Sequence, residues 1–497
     1  MENETCDNKI KGSRRIRHES ILYSPALVQH ERDGVCLLID PTSPNWASAN
    51  RVGSAIIRAC DGRHTMREVA ERASLEYGLP VNSIIEFIET SARAGFISET
   101  PDLSPPYTGR AEAIAPAALE ELWIYTNNSC PLRCRHCLVD GGTEPSSTMG
   151  AAEIEKLVDD ALALGAGRIY FTGGEPIMRK DILELAEYVT ARAQLVILTS
   201  GVLISYEIAA RLKALSRGNL IVQVSLEGPD AGTNDTIRGE GSFARAVSGI
   251  RALLNAGIVP VVTTTLTRLN YMKAPETTEF LASLGIRDHH ILWLHQCGRM
   301  RLCNSELLLG GEEIARTMER LRETAHEAGV VVDNLESLAA RIKGRRHKND
   351  LCNSCYGVLA IGTDAHVYPC ASLVGTPEFD CGSINENGLK KIWLESPGTN
   401  RVRSNSVQKK VGCSSCYLKF FCGGGCYAQS YFNYEMTEGT GCIMAPDPYC
   451  EVYRSQLLDL MWESAMPLPD EKVEDLPVIY RTMDQQYGSC SCLYGFF

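Results

Sequence analysis

The sequence lacks any apolar run long enough to cross a bilayer, and its first residues, MENETCDNKIKGSRR, carry charge with no apolar segment behind them. Membrane insertion and secretion are therefore not expected, and a cytoplasmic chain is. Positive charge is scarce too: 49 Lys and Arg stand against 61 Asp and Glu, a formal net charge of -12. Such a balance repels polyanions and disfavours a nucleic-acid partner. Two basic runs, Lys9 to His18 and Arg341 to Lys348, are too short to reverse it and read as a solvated tail and a solvated connector. Aromatic residues make up only 7%, yet 44% of the chain is apolar and 22% charged, which leaves enough apolar surface for a sizeable core. At 497 residues the chain exceeds one ordinary domain.

Cysteine, by contrast, is abundant, with 20 residues. In a small secreted domain that number would imply disulfides; in a large chain with no secretory signal it implies metal or redox chemistry.

Residues 20–100 show short strands (ALVQHE, VCLLI), then helices near 51–59, 66–77 and 81–94, the pattern of a small winged-helix module. Thr65 with Glu68 three residues later marks a capped helix start, and Gly95-Phe96-Ile97 reads as a final strand. Cys36 and Cys60 are expected to be small core residues. Residues 101–118, with Pro101, Pro105, Pro106 and Pro116, form a linker.

Across residues 119–340, six strand-like runs (LWIYTN, RIYFTG, LVILTS, LIVQVSL, IVPVVTTTL, HHILWLH) alternate with amphipathic stretches near 151–164, 181–192, 206–215, 242–255 and 275–284. Apolar strands separated by helical periodicity predict an α/β fold of parallel units, with chemistry at the C-terminal strand ends. From about residue 345 to 455 periodicity fades and cysteines take over, as where metal replaces an apolar core. Residues 456–497 form a tail.

Cys130-Pro-Leu-Arg-Cys134-Arg-His-Cys137 follows the first strand directly. Three thiolates in one loop can converge on a four-iron cubane and leave one iron open to a chelating cofactor. A zinc site completed by His136 is the competing reading. Thr172-Gly173-Gly174-Glu175-Pro176 follows the second strand. Further along come Cys352, Cys355 and Cys370, then Cys413, Cys416, Cys422 and Cys426, then Cys442 and Cys450, with Cys381 apart. Zinc ribbons are the alternative for the two C-x2-C pairs.

The C-x3-C-x2-C loop after the first strand, with the GGEP segment after the second, resembles the radical S-adenosylmethionine superfamily. The resemblance implies a partial (β/α)6 barrel in which Cys130, Cys134 and Cys137 hold a [4Fe-4S] cluster whose open iron binds S-adenosylmethionine. Gly173, Gly174 and Glu175 would then face the methionine amino group, Ser200 and Ser225 would contact the cofactor from strand ends, and Arg238 would pair with its carboxylate. The later cysteines resemble the SPASM extension of peptide-modifying radical enzymes, which implies two auxiliary [4Fe-4S] clusters, three in all. On that pattern Cys352, Cys355, Cys370 and Cys426 hold one and Cys413, Cys416, Cys422 and Cys442 the other, with Cys450 as the alternative to Cys442.

Residues 20–100 resemble the RiPP recognition element, the winged-helix fold of the peptide chaperone of pyrroloquinoline quinone biosynthesis, which binds a leader peptide on a sheet edge. A transcription-factor-like winged helix is the alternative. Together these likenesses imply a maturase that abstracts hydrogen from a ribosomally made precursor peptide, forming a thioether or carbon-carbon crosslink, with flavodoxin or ferredoxin as reductant. The alternatives are a formylglycine-forming sulfatase maturase, against which Ala371 and Ser372 after Cys370 offer no carboxylate base, and an iron-sulfur electron-transfer or scaffold protein. The tail segment YGSCSCLYGFF reads either as a frayed terminus or, through Cys490 and Cys492, as thiols serving the active site. Cys297 and Cys303, after the sixth strand, are expected to be packing residues.

Overall fold

The computed structural model describes residues 16–101, 107, 109, 118–142, 148–302, 304–343, 350–465 and 477–480. The proline-rich linker and the thiols of Cys303, Cys490 and Cys492 thus lie wholly or largely outside the described residues. The chain divides into two compact units, one around residues 1–107 with parts of the C-terminal region and one around residues 108–457.

In the first unit, β1 (Ile21–Tyr23) and β2 (Val28–Arg32) are followed by β3 (Val35–Asp40) and β4 (Asn45–Asn50), and β2, β3 and β4 form an antiparallel sheet. Three helices cover it: α1 (Arg51–Ala59), α2 (Met66–Tyr77) and α3 (Val81–Arg93), with β5 (Asp61–Thr65) pairing to β1. The capping box forms as expected, with Thr65 Oγ1 accepting from Glu68 N at 3.3 Å and Glu68 Oε2 accepting from Thr65 N at 2.8 Å. Leu38, Ala47, Ile56, Val69, Phe87 and Phe96 share one core, and Cys36 and Cys60 are buried within it. Gly95 to Ile97 forms no strand; instead Ser98 makes a single bridge to Tyr23.

In the second unit the six expected strands are present: β6 (Glu121–Asn127), β7 (Arg168–Gly173), β8 (Gln194–Thr199), β9 (Leu220–Ser225), β10 (Val261–Leu266) and β11 (Asp288–Trp293), all parallel. Consecutive strands lie side by side, the order of a barrel wall rather than of a doubly wound sheet. Helices α4 (Ala151–Ala163), α5 (Ile182–Thr190), α6 (Tyr206–Leu215), α7 (Ala231–Arg238), α8 (Ser242–Asn255) and α9 (Ala274–Ser283) alternate with them. Ile154, Leu157, Val158 and Ala161 turn one face of α4 inward, and every residue of β6 is buried, as a strand covered on both sides requires. Three strands were not foreseen: β12 (Val331–Val332) beside β11, and β13 (Val358–Ile361) with β14 (Val367–Tyr368). Because β13 pairs in parallel with β6, the cysteine-rich region joins the same sheet as the first cysteine loop.

Candidate active site

The loop after β6 is fixed mainly through its backbone. Cys130 N donates to Gly142 O at 2.7 Å, Arg135 N to Ile237 O at 2.9 Å, and Arg299 N to Cys137 O at 3.0 Å. The turn after β7 closes from another side, with Gly174 N donating to Asn127 O at 2.8 Å and Glu175 N to Ser129 O at 2.7 Å. Only glycine permits this approach: a Cβ on Gly173 would lie 2.2 Å from Asn127 O, and one on Gly174 would lie 2.2 Å from Ser129 O. The GGE segment therefore braces the cysteine loop.

Glu175 is fully buried and committed to its neighbours. One carboxylate oxygen accepts from Thr199 Oγ1 at 2.7 Å and Ile177 N at 3.2 Å; the other accepts from Ser200 N at 2.8 Å and Ser200 Oγ at 2.5 Å. Glu175 and Ser200 thus come together and lock the ends of β7 and β8. Ser225 ends β9 and is half-buried.

Arg238 sits at the end of α7, where its Nε and Nη2 donate to Glu227 Oε1 at 2.9 and 2.6 Å while Nη1 lies 3.9 Å from Cys134 Sγ. Its guanidinium is engaged by this carboxylate and faces a cluster-loop thiol. Glu227 was not singled out in the sequence, although it directly follows the fourth strand in VSLEG, where a charged group at a strand end has functional weight. Burial acts to raise its pKa, but the charges of Arg238 and His136 prevail and hold it down to about 2. His136 Nε2 lies 3.1 Å from the same carboxylate, so the structure directs this imidazole to Glu227. Arg299 was also missed: its guanidinium donates to Cys134 O at 3.0 Å and Gly141 O at 2.6 Å, tying the loop after β11 to the cysteines.

Burial pushes the Cys130 thiol up to about 11, and burial also raises Cys134, against which the Arg238 charge acts. Cys134 and Cys137 both raise Cys130, and Cys137 raises Cys134, as neighbours do. Among the described residues no three Cys, His, Asp or Glu side chains already surround a single-ion position. The donor set is what fits an iron-sulfur cluster: three soft sulfur ligands in one braced loop, with a buried cation beside them.

In the cysteine-rich region, Cys352, Cys370 and Cys426 line one cavity with Trp123, Ser354 and Ser372. The turn Gly423-Gly424-Gly425 delivers Cys426, all three glycines having positive φ, and Gly423 approaches so closely that a Cβ would lie 2.2 Å from Leu351 N. Cys355 does not line this cavity. It is fully buried and hydrogen-bonded to Cys381, and burial, with that thiol beside it, drives its own pKa well up. Of the expected quartet, Cys352, Cys370 and Cys426 line this cavity, while Cys355, with a left-handed backbone (φ 59°), is buried in the core beside Cys381 and under the influence of Cys370.

For the second set, burial raises the Cys450 thiol to about 11, with Cys413 and Cys416 adding to it, and Cys450 in turn registers at Cys422. Cys442 lies in the preceding loop, its carbonyl accepting from Ala445 N at 3.2 Å. The fully buried Lys410 stands near the second set, donating to Gly424 O at 2.6 Å and Ser430 Oγ at 2.7 Å; at Cys413 its charge opposes the effect of burial. A buried cation suits a site that gathers thiolates.

A parallel α/β sheet with a braced three-cysteine loop at one strand end, joined to a second cysteine-rich region, defines an iron-sulfur enzyme of the radical type. The Radical SAM superfamily profile matches residues 124–281, and the profile of an iron-sulfur cluster-binding domain, SPASM, matches residues 352–417. The chain is similar to the AdoMet-dependent heme synthase of Nitratidesulfovibrio vulgaris, 30% identical over 356 residues, covering 66% of this chain and 90% of that protein. It is also similar to the mycofactocin maturase MftC of Mycolicibacterium smegmatis, 28% identical over 326 residues, 65% of this chain and 80% of that one. In fold it matches Streptococcus suis SuiB bound to its precursor peptide SuiA, with TM-score 0.54 at 16% identity over 84% of this chain and 99% of that one. The chain belongs to the radical SAM superfamily and is an enzyme that uses a [4Fe-4S] cluster and S-adenosylmethionine, with auxiliary iron-sulfur binding in its SPASM domain. No described helix is long and apolar enough to cross a membrane.

Proposed function

We propose that this enzyme modifies a ribosomally made peptide, abstracting hydrogen and forming a thioether or carbon-carbon crosslink. The observation that carries the reading is the presence, on one chain, of the braced radical loop and of an antiparallel module whose β4 takes up a further strand, Ile479–Tyr480, from elsewhere in the chain, as such an edge would take up a leader peptide. Support comes from the maturase among the relatives and from the fold match to a peptide-bound enzyme, which extends over more of this chain than the sequence matches do. The heme synthase and maturase matches leave the same third of this chain outside them, so the preference for a peptide over a tetrapyrrole rests on the module in that third. A sulfatase maturase is not favoured: the described lining of the cavity at Cys370 contains no carboxylate.

Cys130, Cys134 and Cys137 would hold a [4Fe-4S] cluster whose open iron binds S-adenosylmethionine, and together these would supply a 5'-deoxyadenosyl radical. The protein's own part is positional. Gly173 and Gly174 bring the turn against the cysteine loop, the Glu175 to Ser200 bonds fix the strand ends, and Glu227 holds Arg238 beside Cys134. Three [4Fe-4S] clusters, a flavodoxin or ferredoxin reductant and a cytoplasmic setting complete the reading. Anaerobically reconstituted enzyme, given S-adenosylmethionine, dithionite and the peptide of an adjacent short reading frame, is expected to release 5'-deoxyadenosine and remove two hydrogens from the peptide. A peptide of unchanged mass while porphyrin is turned over would reject it.

A further inference from the structure

The segment that leaves β11 is fixed against the stretch that carries Cys426. Gln429 Nε2 donates to Leu294 O at 3.1 Å, the Tyr449 hydroxyl donates to the same carbonyl at 3.3 Å, and Gln296 Nε2 donates to Asn433 Oδ1 at 2.8 Å. On the sulfur's own side, Cys426 N donates to Asp447 Oδ2 at 2.7 Å and Ser430 Oγ donates to Cys426 O at 3.0 Å. Between these two braced stretches lies His295, half-buried, its Nε2 3.8 Å from Cys426 Sγ. A titratable ring at the C-terminal end of a sheet strand therefore meets one of the three thiols that line the cavity with Trp123. The radical chemistry described above makes no use of it.

The contact acquires one sense when the sulfur binds iron. A ligating cysteine has lost its proton and can only accept, so it selects the imidazole form that carries its proton on Nε2. Ligands of separate irons diverge around a cluster, whereas this nitrogen closes on the sulfur of another residue, the place of a donor. Hydrogen bonds to the sulfurs of a cluster favour its more negative, reduced form and raise its potential. Resting on the reading that Cys352, Cys370 and Cys426 hold an auxiliary cluster, we infer that His295 is a positioning residue that acts through Cys426, donating to its thiolate and making that cluster easier to reduce. The bonds at Leu294 and Gln296 hold the ring in place for this.

The test uses the full-length chain carrying Cys130→Ala, Cys134→Ala and Cys137→Ala, reconstituted anaerobically, so that only auxiliary clusters respond. Reduction is followed by electron paramagnetic resonance at controlled potentials. The signal lost in Cys426→Ala belongs to this cluster; if that substitution removes none, the cluster reading fails and the inference falls with it. His295→Phe keeps a ring without an N–H and is expected to retain the iron while making this cluster about tenfold harder to reduce, about 59 mV for one electron. The remaining signals should stay where they are. His295→Gln, which offers an amide N–H in place of the ring's, is expected to return the potential toward that of the parent. An unmoved potential in His295→Phe, or an equal shift in both variants, overturns the donor role while leaving the cluster reading intact. Loss of this cluster's iron in His295→Phe overturns it as well, and nitrogen coupling in the parent signal would then name His295 a ligand.

Discussion

In the loop after β6, three thiols come from eight consecutive residues whose backbone is bonded to Gly142, Ile237, Arg299 and, through the GGE turn, to the neighbouring strand end. In the cysteine-rich region the thiols that line one cavity come from as far apart as Cys352 and Cys426, carried on turns and short helices. The first site is shaped by a sheet that exists without metal. The second brings thiols from distant turns onto a region that shares the sheet's apolar core through Leu359, Ile361, Trp393 and Tyr427, and the affinity of a bound cluster would add to its folding free energy. Substituting single residues on either side separates the two principles.

The largest effect is expected at Cys134. Cys134→Ala removes one of three ligands from a loop whose backbone is otherwise tied, so the fold and the auxiliary iron should survive while 5'-deoxyadenosine formation falls by on the order of a thousandfold or more. Iron analysis with a cofactor-cleavage assay checks both halves. Concurrent loss of the auxiliary iron would show that the two regions are not independent.

On the auxiliary side the contrast lies within the cysteines. Cys426→Ala and Cys450→Ala should each remove one cluster, about four irons, whereas Cys355→Ala should retain its iron and cost about 1–2 kcal/mol of packing against Cys381. We propose Cys450, on which Cys413 and Cys416 act, rather than Cys442 as the last ligand of the second set, so Cys442→Ala should retain its iron; equal iron loss in the Cys442 and Cys450 variants would overturn that choice.

Glu227→Gln probes the brace from its charged end. The carboxylate is fully buried and serves both Arg238 and His136, so its neutralisation strands a buried guanidinium beside Cys134, at a cost of about 3–5 kcal/mol. Denaturant titration followed by tryptophan fluorescence measures it. Cofactor cleavage should fall in the same variant even where the fold persists.

The six strands and the first cysteine loop were legible because apolar runs and C-x3-C-x2-C spacing are local signals. What could not be read was pairing over distance. β4, Asn45–Asn50, has no β-branched residue and becomes a strand only by packing Trp46, Ala47 and Ala49. β13 is a short run whose place beside β6 follows from tertiary contact. Cys355 follows Cys352 closely in sequence, and its burial beside Cys381 is set by tertiary packing. Glu227 and Arg299 act through partners 11 and 165 residues away, a reach no local pattern encodes.

Acid offers a further way to separate the regions. His289 on β11 lies buried between Thr264 on β10 and Thr278 on α9, at 2.8 and 3.0 Å, and burial, with His290 adding to it, holds its pKa down to about 3. The unfolded chain takes up a proton at this imidazole below about pH 6.5, while the folded chain refuses it down to about pH 3, so the stabilisation is full above the first value and declines toward the second. Each unit of acidification across that window costs about 1.4 kcal/mol. Exchange of the β10 amides should therefore quicken between pH 6 and 4, measured by mass spectrometry with intrinsic rates corrected for pH. His289→Gln, which keeps hydrogen-bonding capacity and has no proton to gain, should flatten that slope. A slope that survives the substitution would assign the acid sensitivity to some other buried group and leave the sheet no more acid-labile here than elsewhere.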